Sequence, residues 1–265
     1  MSERLLAVFA HPDDESLLAG GTLAACAASG VEVRVVSMTR GELGAVGDFP
    51  GDAAELGAVR EAELGQAAAA LGVAGAECLG YPDGELDSLA AGQAVDDLAA
   101  RIRRWGPSAL ITFGPEGLYW HPDHIAVHRL TTAALDALGR AGTATVPRWL
   151  YAATWPDDLA ARLVTRLEAE GLGADLWGLD PAAFGVPRGS ITTVLDVRSF
   201  LAPKLLALGR HASQLPRGHA LAGMPQRLAR ELLGHEYFVR LRPPEASEDW
   251  LEQTVGSGAP VRAAS

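Results

Sequence analysis

The chain has 265 residues, 48% of them hydrophobic and 21% charged, an ordinary globular balance with ample length for a large buried core. A formal net charge of −11 repels phosphate backbones and argues against nucleic acid as a partner. No apolar run is long enough to span a bilayer, and the start lacks the basic residues and long apolar core of a signal peptide. Cys26 and Cys78 stand in no metal-ribbon or redox spacing, so a soluble cytoplasmic protein with two reduced thiols is expected.

Leu5 to Ala10 is a short continuous apolar run and reads as a strand buried on both faces. His11-Pro12-Asp13-Asp14 breaks it, and a helical pattern follows from about Glu15 to Ala28. Val31 to Met38 reads as the second strand. Arg40 to Gly57 is a long Gly-rich loop, of the kind that is usually functional or mobile. A helix over about Ala58 to Leu71 leads to a strand near Glu77 to Gly80, a Tyr81-Pro82-Asp83-Gly84 turn and a helix over about Gln93 to Trp105. Ser108 to Phe113 is another buried strand; a loop then carries His121-Pro122-Asp123-His124, and a helix runs on to about Leu138. Past Val146 the pattern loosens. Strands are expected at Arg148–Thr154, Ile191–Val197 and Tyr237–Leu241, with helices at Asp157–Glu170, Ser199–Gln214 and Gln226–Leu233.

This order predicts an α/β protein, a Rossmann-like doubly wound, mostly parallel sheet with a smaller, irregular C-terminal lobe. Residues 1–145 would form the catalytic core, 146–242 would complete the sheet and pocket, and the polar stretch 243–265 would be a flexible tail. No Gly-x-Gly-x-x-Gly follows the first strand, so a dinucleotide site is not supported.

Ligands of open α/β sheets bind at the carboxyl ends of the strands. His11, Asp13 and Asp14 follow one buried strand; His121, Asp123 and His124 follow another. Catalytic zinc takes three ligands from His and carboxylate and leaves a position for water. Two of the three histidines plus one carboxylate would complete such a set, leaving a carboxylate as base and a histidine as donor or acid. Either aspartate of the first cluster, taken alone, would be better read as a helix cap. Two His-Pro-Asp clusters at equivalent strand ends are much harder to explain that way.

Ala10-His11-Pro12-Asp13-Asp14-Glu15 and His121-Pro122-Asp123-His124 together resemble the paired signatures of the LmbE-like, or PIG-L, zinc-dependent deacetylases. The resemblance covers most of the first 140 residues and returns weakly at Lys204…His211-Ala212-Ser213-Gln214. It implies a Rossmann-like fold with one zinc ion per chain, held by His11, Asp14 and His124; such sites also take Fe²⁺ or Co²⁺. It makes Asp13 the general base, His121 the oxyanion stabiliser or general acid, and Asp123 the orienting partner of His121. Tyr119 matches a tyrosine that helps hold the substrate carbonyl. Arg60 matches an arginine that reaches sugar hydroxyls, although as a helix residue it reads equally well as surface, paired with Glu61 or Glu63. His211 is placed near the pocket. Members often carry Gly before His-Pro-Asp-His; Trp120 stands there, and its ring would narrow the pocket or offer a stacking face.

The activity implied is hydrolysis of an N-acyl, chiefly N-acetyl, amide on a small amino-sugar conjugate. Members often form trimers or hexamers, so a homo-oligomer is compatible. The rival readings are an amidase of mycothiol-type S-conjugates and a non-catalytic metal- or sugar-binding protein; Asp13 beside the ligand set argues against the latter, because binding alone needs no base. His128, one turn beyond His124, reads as packing. Glu15 reads as structural, as do His219 and His235, and Asp83 as either site or turn.

Overall fold

The computed structural model describes residues 3–44, 51–143, 145–215, 221 and 224–256. A parallel core comes first: β1 (Arg4–Phe9), α1 (Asp14–Ala28), β2 (Glu32–Thr39), α2 (Ala53–Leu71), β3 (Gly75–Tyr81), α3 (Ala91–Trp105), β4 (Ala109–Phe113), the short turn α4 (Gly117–Trp120), α5 (Pro122–Arg140) and β5 (Trp149–Thr154). The remainder holds α6 (Leu159–Ala169), β6 (Thr193–Asp196), α7 (Leu201–Arg210), α8 (Gln226–Leu232), β7 (His235–Arg242) and α9 (Trp250–Gly256). The strands form one sheet in the order β3-β2-β1-β4-β5-β7-β6. The first five run parallel, while β7 runs antiparallel to both β5 and β6.

β4 is buried along its whole length and β1 over all but its first residue, which is why both read as unbroken apolar runs rather than alternating ones. α1 and α2 pack with α7 on one face, and α3 with α5 on the other. Right-handed crossovers from β1 go one way along the sheet and those from β4 the other. The direction in which strands are added along the sheet therefore reverses between the parallel neighbours β1 and β4, the place where a crevice opens at the carboxyl ends of such strands.

Three departures from the sequence reading have local causes. α2 starts at Ala53 rather than near Ala58, because Asp52 accepts the Glu55 N–H while the Glu55 side chain accepts the Asp52 N–H, a full capping box. This shortens the preceding loop, of which residues 45–50 lie outside the described residues. α7 ends at Arg210, short of Gln214. The tail read as flexible from Pro243 is packed through Gly256: Asp249 accepts from Tyr151 Oη (3.1 Å) and Thr193 Oγ1 (2.6 Å), and Trp250 and Leu251 are buried. Three apolar side chains inside a polar stretch, Trp250, Leu251 and Val255, are buried where it docks. Residues 257–265 and His219 lie outside the described residues.

Candidate active site and metal centre

His11 leaves β1 at its carboxyl end, Asp14 opens α1, and His124 lies in the first turn of α5 beyond β4. Their ligand atoms lie within 4.8 Å of one another. His124 Nε2 is 3.3 Å from His11 Nδ1 and 3.4 Å from Asp14 Oδ1, and His11 Nδ1 is 3.6 Å from Asp14 Oδ2. All three residues are buried. Asp14 Oδ2 also accepts the His11 backbone N–H at 2.8 Å.

The far edges of both imidazoles set their tautomers. His124 Nδ1 donates to Gly117 O at 3.1 Å, which leaves the Nε2 lone pair facing inward. His11 Nε2 faces Asp83 Oδ1 at 3.0 Å and Asp123 Oδ2 at 3.3 Å, which leaves its Nδ1 facing inward. Two inward lone pairs and a carboxylate converging on one point suit a cation, and the outer carboxylates are the usual partners of metal-bound histidines. The charge balance agrees. Burial pushes His124 down to about 3, with Asp14 opposing, so that ring is neutral. Burial would lower His11 too, but its hydrogen bonds to Asp123, Asp14 and Asp83 outweigh it and raise the ring well above its usual range. Burial would raise Asp14, yet His124 and His11 hold it far below the carboxylate range. A proton and a divalent cation compete for such a negative pocket. The donor set, two histidines and a carboxylate, fits zinc or a similar ion.

Asp13 occupies the N-cap position of α1 but does not cap it: its side chain accepts no amide from the helix. Its φ is +121°, a region that non-glycine residues rarely enter and that gathers at functional sites. The carboxylate lines the cavity and accepts from Arg60 Nη2 at 3.1 Å, and the Asp13 N–H donates to Glu15 Oε2 at 3.0 Å. Burial pushes its pKa up to about 6; Arg60 pulls the other way and Asp14 adds to the rise.

Arg60 is only 3% exposed, so it is no surface residue. It donates to Gly41 O and Pro12 O, each at 2.6 Å, besides Asp13. Glu61 pairs with Arg40 instead, and Glu63 accepts from the N–H and Oγ of Ser213. The guanidinium borders the cavity, with both Nη2 protons and one Nη1 proton given to Asp13 and two carbonyls.

His121 lines the cavity and caps α5: its Nδ1 accepts the Asp123 N–H at 3.2 Å. The neutral ring therefore carries its proton on Nε2. Burial, assisted by His11, keeps its pKa below the usual value. Asp123 does not orient His121 through its carboxylate. That group is committed to His11 and accepts the N–H of Gly84 (2.7 Å) and Leu86 (3.0 Å). The backbone turns into α5 at Pro122, which sends the side chains of His121 and Asp123 to different neighbours.

Tyr119 lines the cavity, its ring edge-on to His121 and His124 at 5.6 and 5.2 Å. Burial raises its phenol, so it remains a proton donor. Trp120 is 66% exposed at φ +66° and is not among the cavity-lining residues, so it neither narrows the pocket nor offers it a stacking face. His211 is fully buried and bonds Glu15 Oε1 at 2.8 Å; Gln214, three residues on, borders the cavity instead. His128 Nδ1 donates to Phe113 O at 2.9 Å, a packing role. Sequence reasoning left Asp83 undecided; it is buried, lines the cavity and faces His11.

A strand-end crevice with convergent ligand atoms and an adjacent carboxylate suits metal-assisted hydrolysis, and the chain belongs to the PIG-L deacetylases. The family profile described as PIG-L: GlcNAc-PI de-N-acetylase matches residues 6–135. A 1D-myo-inositol 2-acetamido-2-deoxy-alpha-D-glucopyranoside deacetylase of Rhodococcus opacus is 38% identical over 91% of this chain and 93% of its own. Among solved structures, N,N'-diacetylchitobiose deacetylase from Pyrococcus horikoshii superposes with a TM-score of 0.65 at 21% identity, covering 91% of this chain and 84% of its own. A 4-carboxy-2-hydroxymuconate hydratase from Pseudomonas putida superposes with a TM-score of 0.66 at 21% identity, covering 93% of this chain and 99% of its own. These two likenesses are of fold; the reaction class rests on the sequence relatives and the site.

Proposed function

We propose that the protein is a zinc-dependent deacetylase that removes the acetyl group from an N-acetylglucosaminyl unit joined to a polyol of the inositol kind. The observation that carries the reading is the pair of pre-set histidine tautomers that aim two lone pairs and Asp14 at one point, with Asp13 beside them. The Rhodococcus relative's substrate supports the polyol half.

His11, Asp14 and His124 would hold the ion, which when bound polarises the acetamide carbonyl and acidifies water. Asp13 accepts the proton of the attacking water, a role suited to a carboxyl raised towards neutrality. His121 Nε2–H and the Tyr119 phenol donate to the carbonyl oxygen as it gains charge. A neutral His121 has no spare proton, so Asp13 returns the one it took to the leaving amine. Arg60 holds Asp13 in place.

No helix among the described residues is long and apolar enough to cross a membrane. The free thiols of Cys26 and Cys78 support a cytoplasmic setting, and the net charge of −11 supports a small-molecule rather than nucleic-acid partner.

The test is amine release from free N-acetylglucosamine, N-acetylglucosaminyl-inositol, N-acetylglucosaminyl-malate and a mycothiol conjugate, with metal content assayed in parallel. Zinc-dependent release from the inositol conjugate is expected. Preference for the mycothiol conjugate would make the protein an amidase of the larger amide, and a protein that takes up no metal would overturn the reading.

A further inference from the structure

The amino ends of the strands, at the rim opposite the metal ligands, carry a second cavity of about 460 Å³. Its floor is Leu6 of β1 and Val36 of β2, both buried, with the start of β3 at Gly75 and Ala76 beside them. The space arises because α3 packs beside α5, which lies over β1 and β4, and so leaves the outer strands β2 and β3 partly uncovered on that face. Gly75 pairs with Arg34, which puts both on the same side of the sheet. A Cβ at Gly75 would meet no atom of the described residues within 4 Å beyond its chain neighbours, so the empty volume begins at the backbone itself. None of the residues that line this cavity lines the catalytic one.

The walls are cationic. Arg34 from β2, with Arg101 and Arg104 from the end of α3, line the cavity against one carboxylate, Glu77. In a chain of net charge −11 this is a local reversal of sign. Arg101 Nε reaches Glu77 Oε1 at 3.3 Å. Arg34 Nη2 reaches Glu32 Oε1 at 3.4 Å, and its guanidinium lies 5.3 Å from the centroid of the Trp105 ring. Exposed ion pairs of this kind are worth little and leave their donors free to turn to a better acceptor. Arg104 has no hydrogen-bond or ion-pair partner among the described residues. Basic residues in the last turn of a helix complement its negative end, which accounts for Arg103 and Arg104 as such. It does not account for Arg34, which stands on a strand, or for the open apolar floor between the arginines.

We infer that this cavity is a second ligand site, for a small organic anion with a flat apolar body and one acidic group. Guanidinium groups take phosphate, sulfonate or carboxylate through paired N–H donors. The body lies on Leu6, Val36 and the bare backbone of Gly75, with the Trp105 ring as a side wall. The volume is that of a small-molecule pocket, and an apolar lining with a few convergent polar groups is the usual make-up of one. A bare phosphate leaves the floor to water, and an uncharged ring leaves the arginines to water, so the two halves of the site select together. A nucleoside monophosphate and an aromatic acid share this chemistry.

The experiment titrates zinc-loaded protein calorimetrically with AMP and with naphthalenesulfonate. Each is set beside its uncharged counterpart, adenosine or naphthol, with inorganic phosphate as the bare anion. One of the two acids should bind with a dissociation constant of about 1 mM or tighter, at least about tenfold tighter than its uncharged counterpart and than phosphate. Preference for AMP would make this a nucleotide site and preference for the sulfonate a site for aromatic acids; either sustains the inference. Gly75→Leu fills the cavity from the backbone, and Arg104→Glu reverses the unpaired charge; each should weaken binding by about tenfold or more. Arg104 is exposed, so its variant decides the matter where Gly75→Leu does not fold. Absence of binding overturns the inference, as does an acid that binds no tighter than its uncharged counterpart or than phosphate. Binding that either folded variant leaves unchanged lies elsewhere on the protein and overturns it too.

Discussion

His11 and Asp123, 112 residues apart, meet with 3.3 Å between Nε2 and Oδ2. The contact turns the other edge of the imidazole towards Asp14 and His124, and Asp83 reinforces it from the loop after β3. Both aspartates should therefore act through the metal. Asp123→Asn and Asp83→Asn should each weaken zinc affinity by about 10- to 100-fold, measured by competition with a chromogenic chelator. Unchanged affinity with lower turnover would mean that these carboxylates touch substrate instead.

Asp13→Asn should retain zinc and lose about 100- to 10,000-fold in kcat, the usual range for a missing general base. Metal analysis of the purified variant is the control. Loss of zinc along with activity would move Asp13 into the ligand set.

Arg60 binds Asp13 rather than standing free for a sugar, so Arg60→Met should lower kcat more than it raises KM. The pH profile gives a second readout. Asp13 must be ionised to act, and burial places its carboxyl at about 6, with Arg60 holding it down. Activity is present above that value and lost as pH falls through it; a bound cation draws the limb lower still. Removal of Arg60 should shift the acid limb of kcat/KM upward. An unmoved limb with raised KM would return Arg60 to substrate binding.

Chelation should abolish activity and leave the far-ultraviolet circular dichroism intact, because the ligands sit at the rim of a sheet whose core is apolar. Zn²⁺ should restore turnover, and Co²⁺ or Fe²⁺ in the same site would be accepted on ligand chemistry. Loss of secondary structure on chelation would show that the ion is structural.

Lys204 and Glu236 form a buried pair at 2.7 Å, and Glu236 also accepts the Gly21 and Thr22 N–H groups inside α1 at 2.8 and 2.7 Å. Lys204→Met should destabilise the fold by about 3 to 5 kcal/mol, since it strands a buried carboxylate. The double variant Lys204→Met/Glu236→Gln should recover part of this in urea unfolding. A single variant as stable as the parent would show that water reaches the carboxylate.

The two candidate metal clusters were legible in sequence because each follows an apolar run that marks a strand buried on both faces; which of their residues would hold the ion came only from the family resemblance. The capping box at Asp52 and Glu55 was equally legible and would have placed the start of α2. Arg60 was not: helical spacing puts it on a face, and only the fold brings Pro12, Asp13 and Gly41 beneath its guanidinium. Asp123 misled for the opposite reason. It neighbours His121 in sequence, but the helix start at Pro122 turns its carboxylate towards a histidine on another strand. His211 follows the same logic, since its partner Glu15 lies 196 residues away. Trp120 could not be placed without knowing that its backbone adopts φ +66°.

The side chain of Glu236 let into the middle of α1 has a bearing on how this enzyme can be divided. Every residue of the two His-Pro-Asp clusters lies before residue 125, yet the helix that carries Asp14 is fastened at Gly21 and Thr22 by a strand near the other end of the chain. Val197 also fills the space in which Gly21 has no side chain; a Cβ there would come within 2.5 Å of the valine Cβ. A fragment cut after β5 would thus own every candidate metal ligand and lack the carboxylate that fastens the helix carrying Asp14. A graft of the motifs onto a shorter scaffold would have to supply its own substitute for that distant carboxylate.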